Sequence, residues 1–359
     1  MTPPPDSGLS GAPRRSIFAV EGGGGTLPSW APYGAVAGSL VFCAAVLAAL
    51  GWFTIALMLV FGALFSVLSI YAWSRAVEGR RRAKDRAVTM AIVASFGVAM
   101  APLISLLYEV ISRGAKGISW DFFTTTSRGV VGGGAAHAIV GTLVITGCAV
   151  VISVPIGIMA AIYMNEYGRG PLRRALTFFV DVMTGIPSIV AGLFAYALFE
   201  LFFGPSIQLG IMGSIALSVL MIPIVIRSAE EVLKIVPNHL REAAYALGTP
   251  KWKTITKVVL PTAFAGLVTG VMLATARIIG ETAPLLVTTG VVDSLNADPF
   301  QGRMQNLAVY AYNQYRSPGV MKQSAYDRAW AAALTLIVIV MILNVAARLV
   351  YRRYKTESR

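Results

Sequence analysis

Apolar residues run along this chain in eight long stretches, at about 35–51, 53–73, 87–111, 138–164, 175–203, 209–227, 263–289 and 329–350. Each stretch is about long enough to cross a hydrocarbon core of roughly 30 Å as a helix. The pattern predicts an all-α integral membrane protein of about eight spans. The first two stretches meet at Gly51 and Trp52 without a polar break. As one helix they would be about 55–60 Å long, too long for a single crossing, so a tight helical hairpin is expected there. One very long tilted span is the alternative, and it would move the N-terminus to the other side.

Composition agrees with lipid as the solvent. Of 359 residues 56% are hydrophobic, only 13% are charged, and mean hydropathy is +0.70. The net charge of +13 does not point to nucleic acid, because the basic residues cluster beside apolar runs as flanks of membrane spans. Twenty-two of the 30 Lys and Arg fall on one side if the N-terminal tail, the loops near 74–86, 165–174 and 227–262, and the C-terminus share it. The positive-inside rule makes that side cytoplasmic, with both termini there. "EGRRRAKDR" (78–86) supplies much of the bias and reads as a stop-transfer and lipid-headgroup anchor.

Residues 1–33 are expected to be a disordered cytoplasmic tail with no signal peptide, 34–86 an extra hairpin plus a basic loop, 87–350 the main core, and 351–359 a basic tail. Cys43 and Cys148 lie inside apolar runs with no ligand neighbours, and His137 and His239 stand alone, so no metal site is expected. No GxxxxGK[ST] occurs, and the glycine runs at 22–25 and 132–134 lack its lysine, so the chain carries no nucleotide-binding loop of its own.

Two stretches carry the chemistry. "SAEEVLKIVPNHLREAAYALG" (228–248) places Leu233, Val236, Leu240, Ala243, Ala244 and Leu247 at helical spacing. One or two short helices are expected across the membrane face, broken at Pro237 and ended at Gly248, Thr249 and Pro250. They suit either an interfacial helix without a partner or a docking surface with small residues at its centre. In "ATARIIGETAPLLVTTG" (274–290), Arg277 is expected near mid-span with Glu281 one turn on, on the same helix face. Mid-bilayer charges cost at least about 2.5–3.5 kcal/mol, so both are expected to face a protein interior or a wet path. The pair suits either simple self-neutralisation or an anion site, in which the guanidinium fork meets an oxyanion. Gly280 and Pro284 are expected to distort this helix, and Gly185 and Pro187 to kink the span at 175–203. Asp181 reads as a helix-end or interhelical partner.

The spacing Glu242-Ala243-Ala244, Gly248, Val258, Leu260-Pro261 resembles the EAA loop of ABC-transporter permeases, with Val258 where that family usually has Ile. "RIIGETAPLL" (277–286), "GIPSIVAGL" (185–193) and "GTLVIT" (141–146) narrow the likeness to the PstA-type permeases of phosphate-specific ABC importers, over about 87–350. The resemblance implies a six-span core in a prokaryotic plasma membrane that moves inorganic phosphate inward by alternating access. It implies a cytoplasmic loop at 228–262 that docks an ATPase through Glu242, Ala243, Ala244, Gly248, Leu260 and Pro261. Arg277, Glu281 and Thr282 would line the substrate path, and Gly185, Pro187, Gly280 and Pro284 would be the helix breaks that gate it. The implied partners are a sister permease in a heterodimer, two ATPase subunits, an extracytoplasmic phosphate-binding protein and membrane lipid. ATP and Mg would sit on the ATPase; the chain itself would bind no cofactor and catalyse no reaction. An importer of molybdate or sulfate, or an ion-coupled secondary transporter, is the alternative reading. The extra hairpin departs from the family and has no implied role.

Overall fold

The computed structural model describes residues 25–127 and 133–357, with side chains up to Leu349. Most of the expected N-terminal tail lies outside the described residues. The elements are α1 (Ala31–Ala49), α2 (Ile55–Val77), α3 (Arg80–Gly117), α4 (Trp120–Thr124), α5 (Ala136–Ile162), α6 (Pro171–Thr184), α7 (Ser188–Phe203), α8 (Gly210–Ile235), α9 (Asn238–Ala246), α10 (Lys251–Thr254), α11 (Leu260–Ile278), α12 (Ala283–Thr288), α13 (Leu307–Arg316) and α14 (Lys322–Glu357). One wider, π-helical turn, Tyr163–Tyr167, continues α5, and another, Ile255–Val259, joins α10 to α11. There is no strand among the described residues.

Seven helices are long and apolar enough to cross a membrane, and α6 with α7 makes an eighth if that bent pair is one span. The expected single span at 175–203 is therefore two helices, with a bend of 108° between them. The cause is local: Pro187 cannot donate a backbone hydrogen bond, and Gly185 just before it costs the most entropy to hold in a helix. The last span is longer than its apolar run. α14 continues through Glu357, so the backbone of the expected C-terminal tail extends that helix.

The chain divides into two compact units, up to Leu107 and from Tyr108 onward. The first is the hairpin with the start of α3. Gly51 closes it at φ +71°, a conformation open to glycine. Phe42 stacks on Phe65 at 4.9 Å. At its other end Glu78, almost fully buried, accepts Leu27 N–H (2.7 Å), Ser74 Oγ (2.7 Å) and both Nε and Nη2 of Arg86 (2.6 and 2.8 Å). Those donors hold the Glu78 carboxyl down at about 2 against the opposing effect of burial, so it stays ionised.

The second unit packs as membrane helices do, through small residues and short polar contacts rather than bulk apolar area. Ser214 Oγ of α8 donates to the Ile145 carbonyl of α5 at 3.0 Å, and Gly157 lets Val225 approach so closely that a Cβ there would lie 2.6 Å from it. Ile145, Ala149, Leu217, Met221, Val225, Ala274 and Ile278 form the central core of α5, α8 and α11. A second cluster joins Phe122, Leu307, Tyr310 and Ala331.

Candidate functional site

The loop between α8 and α11 has the form its sequence predicts. Val236 takes the extended conformation (ψ 122°) that a following proline favours, and Pro237 opens α9. α9 ends on Gly248 at φ +73°, with Thr249 N–H on the Ala244 carbonyl (3.1 Å) and Gly248 N–H on that of Tyr245 (2.9 Å). This is the Schellman arrangement, in which a left-handed glycine reverses the chain and satisfies the last carbonyls. No residue of α9 is buried. Glu242, Ala243 and Gly248 are exposed, Ala244 is half-buried, and Leu247 is 86% and Trp252 63% exposed. The two remaining docking candidates lie elsewhere. Leu260 packs into the cluster under the loop with Leu233, Val236, Leu240 and Val259, and Pro261 stands at the start of α11, directly after the π-helical turn Ile255–Val259.

Contacts that the sequence reading did not foresee hold this loop. Arg241 of α9 reaches Glu166 in the π-turn ending α5, with Nη2 at 2.8 Å and Nε at 3.2 Å from the same carboxylate oxygen. Its guanidinium also donates to the Val236 carbonyl (2.6 Å), the Leu233 carbonyl (3.0 Å) and Asn238 Oδ1 (3.2 Å). Both side chains are largely withdrawn from solvent, Arg241 at 12% and Glu166 at 6% exposure. Lys251 adds a bond from Nζ to the Glu166 carbonyl and lies over the Tyr167 ring at 4.7 Å. The available signal was Glu166 as the lone acid in an otherwise basic loop, "NEYGRGPLRR" (165–174).

The expected mid-span pair has a different geometry. α11 stops at Ile278, so Arg277 lies in its last turn, and the chain turns through 279–282 before the short α12. Arg277 and Glu281 therefore do not share one helix face. Gly280 favours the break, and Pro284 fixes the restart because its ring suits a first helical turn. The freed Glu281 carbonyl accepts from Asn306 Nδ2 at 3.3 Å, as a backbone group away from water must. Arg277 is exposed and has no ion-pair or hydrogen-bond partner among the described residues, and the Glu281 carboxylate is half-buried and likewise unpaired. Thr282 stands at the N-cap position of α12 without a side-chain capping bond.

The helices that follow the two sequence breaks pack together. Pro284 of α12 is buried against α7, where a Cβ on Gly192 would lie 2.6 Å from Pro284 Cα. A Cβ on Gly213 of α8 would lie 2.3 Å from Thr289 Cγ2, just past α12. Thus α12 is lodged against α7 and α8 by two glycines. Asp181 of α6 pairs with Arg227 of α8, which also donates to Glu230 at 3.1 Å, so Asp181 is an interhelical partner as read.

Residues 153–356 match the family described as binding-protein-dependent transport system inner membrane component. The phosphate transport system permease protein PstA 1 of Mycobacterium tuberculosis (strain CDC 1551 / Oshkosh) is 45% identical over 276 residues, 76% of this chain and 90% of that protein. The phosphate transport system permease protein PstA of Yersinia pestis is 39% identical over 288 residues, 78% of this chain and 94% of that one. A crystal structure of a bacterial alginate ABC transporter, in complex with a periplasmic protein bound to an alginate pentasaccharide, shares the fold alone. Its TM-score is 0.50 at 15% identity, over 75% of this chain and 95% of that one. On that family match and those identities, the chain belongs to the binding-protein-dependent inner membrane transport components, in the group of the PstA permeases.

Proposed function

We propose that this chain is the membrane-spanning permease of an ATP-driven importer of inorganic phosphate. The observation that carries the proposal is the 45% identity to a phosphate permease across 90% of that relative's length. The substrate path follows from Arg277. An unpaired guanidinium at the end of an apolar span needs water, an anion or another chain against it, because lipid contact costs at least about 2.5–3.5 kcal/mol. A sister permease facing α11 would enclose that space, and the planar fork of Arg277 suits a tetrahedral oxyanion. Glu281 and Thr282, at the broken turn beside it, would border the same path. Glu281 would repel a fully ionised anion, which favours passage over tight capture.

The exposed face of α9 is the surface for the ATPase. Ala243 and Ala244 let a partner come close, Leu247 and Trp252 offer apolar area, and Glu242 gives charge. ATP and Mg belong to that partner, of which two copies would serve the two permeases. An extracytoplasmic phosphate-binding protein would deliver the substrate. The positive-inside bias of the basic loops supports α9 and both termini lying on the cytoplasmic side of a multi-pass inner-membrane protein. The breaks at Gly185 and Pro187 and at Gly280 and Pro284 are the places where α7 and α12 would shift as access alternates.

The test is labelled phosphate uptake in low-phosphate medium by cells lacking this chain, complemented with wild type or Arg277→Ala at equal membrane levels. Wild type restores ATP-dependent uptake and Arg277→Ala does not. Uptake that is unchanged by the deletion itself overturns the substrate, and the same assay with sulfate and molybdate then decides between the other oxyanions.

A further inference from the structure

The family likeness leaves the hairpin of α1 and α2 without a role, and its structure holds a cavity of about 610 Å³ between these helices and the start of α3. The lining changes character along its length. At one end stand Ser29, Tyr33, Arg82, Asp85 and Arg86, and at the other Val36, Ile70, Met90 and Val93. From Arg82 to Val93 a helix rises about 16 Å, roughly half the thickness of a hydrocarbon core. The site is therefore a charged mouth opening onto an apolar slot within helices that cross a membrane.

Its charges are specific. Arg86 is committed to Glu78 through Nε and Nη2. Arg82 is exposed and has no ion-pair or hydrogen-bond partner among the described residues, and Asp85, one turn on, accepts no hydrogen bond. A phosphate diester would complement Arg82, while hydroxyl donors on the same headgroup would serve Asp85. Acyl chains would fill the slot beside Val36 and Met90. Free phosphate lacks the chains, and a phosphocholine headgroup has no hydrogen-bond donor for Asp85.

We propose that this cavity binds one phospholipid whose headgroup carries hydrogen-bond donors, such as a phosphatidylglycerol, and that the added hairpin exists to hold it. The basic run at 78–86 is then a built headgroup site as well as a topological anchor.

The test uses the full chain, purified in mild detergent with phosphatidylglycerol or phosphatidylcholine, with retained lipid counted by native mass spectrometry. Wild type retains one phosphatidylglycerol and not phosphatidylcholine. Arg82→Gln lowers retention about fivefold, the usual contribution of one basic residue at a lipid surface. Val36→Trp, which fills the slot and leaves the charges alone, lowers it as well. Lys84→Gln, which removes an exposed cation that does not line the cavity, leaves retention unchanged. Equal retention of both lipids, or equal loss in Lys84→Gln and Arg82→Gln, overturns the proposal in favour of diffuse surface charge. Displacement of the lipid by excess inorganic phosphate overturns it in favour of a free-anion site.

Discussion

Removing the Glu166 carboxylate should loosen α9 without unfolding the membrane core. The pair it makes with Arg241 is mostly buried and bridges 75 residues of sequence. Breaking a buried ion pair by deleting one partner costs about 3–5 kcal/mol, because the other charge is left uncompensated. Arg241 would keep its two backbone carbonyls and Asn238, and it retains some exposure, so we place the cost of Glu166→Ala at about 2 kcal/mol. That cost falls locally, since the Val225 and Met221 core of α5, α8 and α11 is untouched. Amides of 238–248 should then exchange with solvent about 30-fold faster in Glu166→Ala, while those of α13 stay at the wild-type rate. Co-purification of the ATPase should fall in step. The control is Glu166→Met with Arg241→Met, which removes both charges and keeps the volume; it should recover most of the protection. Unchanged exchange in Glu166→Ala, or additive losses in the double variant, would refute the idea that this pair positions the loop.

Other perturbations have equally direct readings. Gly248→Val forces a β-branched residue to φ +73°, a strain of about 1–2 kcal/mol or more; the chain should insert normally but bind its ATPase weakly in pull-down assays. Gly192→Leu places atoms where Pro284 lies, so phosphate uptake should be lost although the chain reaches the membrane, and wild-type uptake would show that α7 and α12 need not touch. Glu78 has a folded pKa of about 2, below its ordinary 4.5, so its contribution is complete above about pH 4.5 and is lost as pH falls toward 2. Melting curves of wild type and Glu78→Gln should differ at pH 7 and converge near pH 2. Finally, spin labels at Trp252→Cys and Ala276→Cys, with Cys43 and Cys148 replaced, should keep a separation of roughly 36 Å with and without nucleotide, since one helical segment carries both; a nucleotide-dependent change would disprove its rigidity.

How much of this was legible in the sequence depends on range. The EAA-type loop was readable because its determinants are local: Pro237 stops α8, helical spacing builds α9, and Gly248 ends it. The hairpin at Gly51 was readable for the same reason. The break after Ile278 was half-hidden. Gly280 and Pro284 signalled distortion, but the apolar run resumes at once with Leu285 and Leu286, so an averaged hydropathy window spans the gap and leaves Arg277 looking central. The bend between α6 and α7 is masked likewise, because Ile186 keeps the run apolar through the turn. Glu166 and Arg241 were invisible as a pair, since nothing local tells two charges 75 residues apart that folding will bury them together.

One helical segment joins the exposed loop to Arg277. Lys251–Ile278 forms a single span of 28 residues. Its first residue, Lys251, is bonded to the Glu166 carbonyl beneath the loop that carries α9, and Arg277 stands in its last turn. A helix of that length reaches roughly 40 Å, so a tilt imposed near α9 arrives at Arg277 with no intervening loop to absorb it. At each end the chain leaves a surface that its own fold does not cover: Leu247 and Trp252 at one, an unpaired guanidinium at the other. Water can cover the first at modest cost, but lipid cannot cover the second. The buried side of this span is fixed by Ala263, Leu267, Gly270 and Ala274 against α8, where Gly270 sits directly on Ser228. Gly266 likewise sits on Val232, so this helix interlocks with α8, and an event at the loop that moves the pair would change what Arg277 faces.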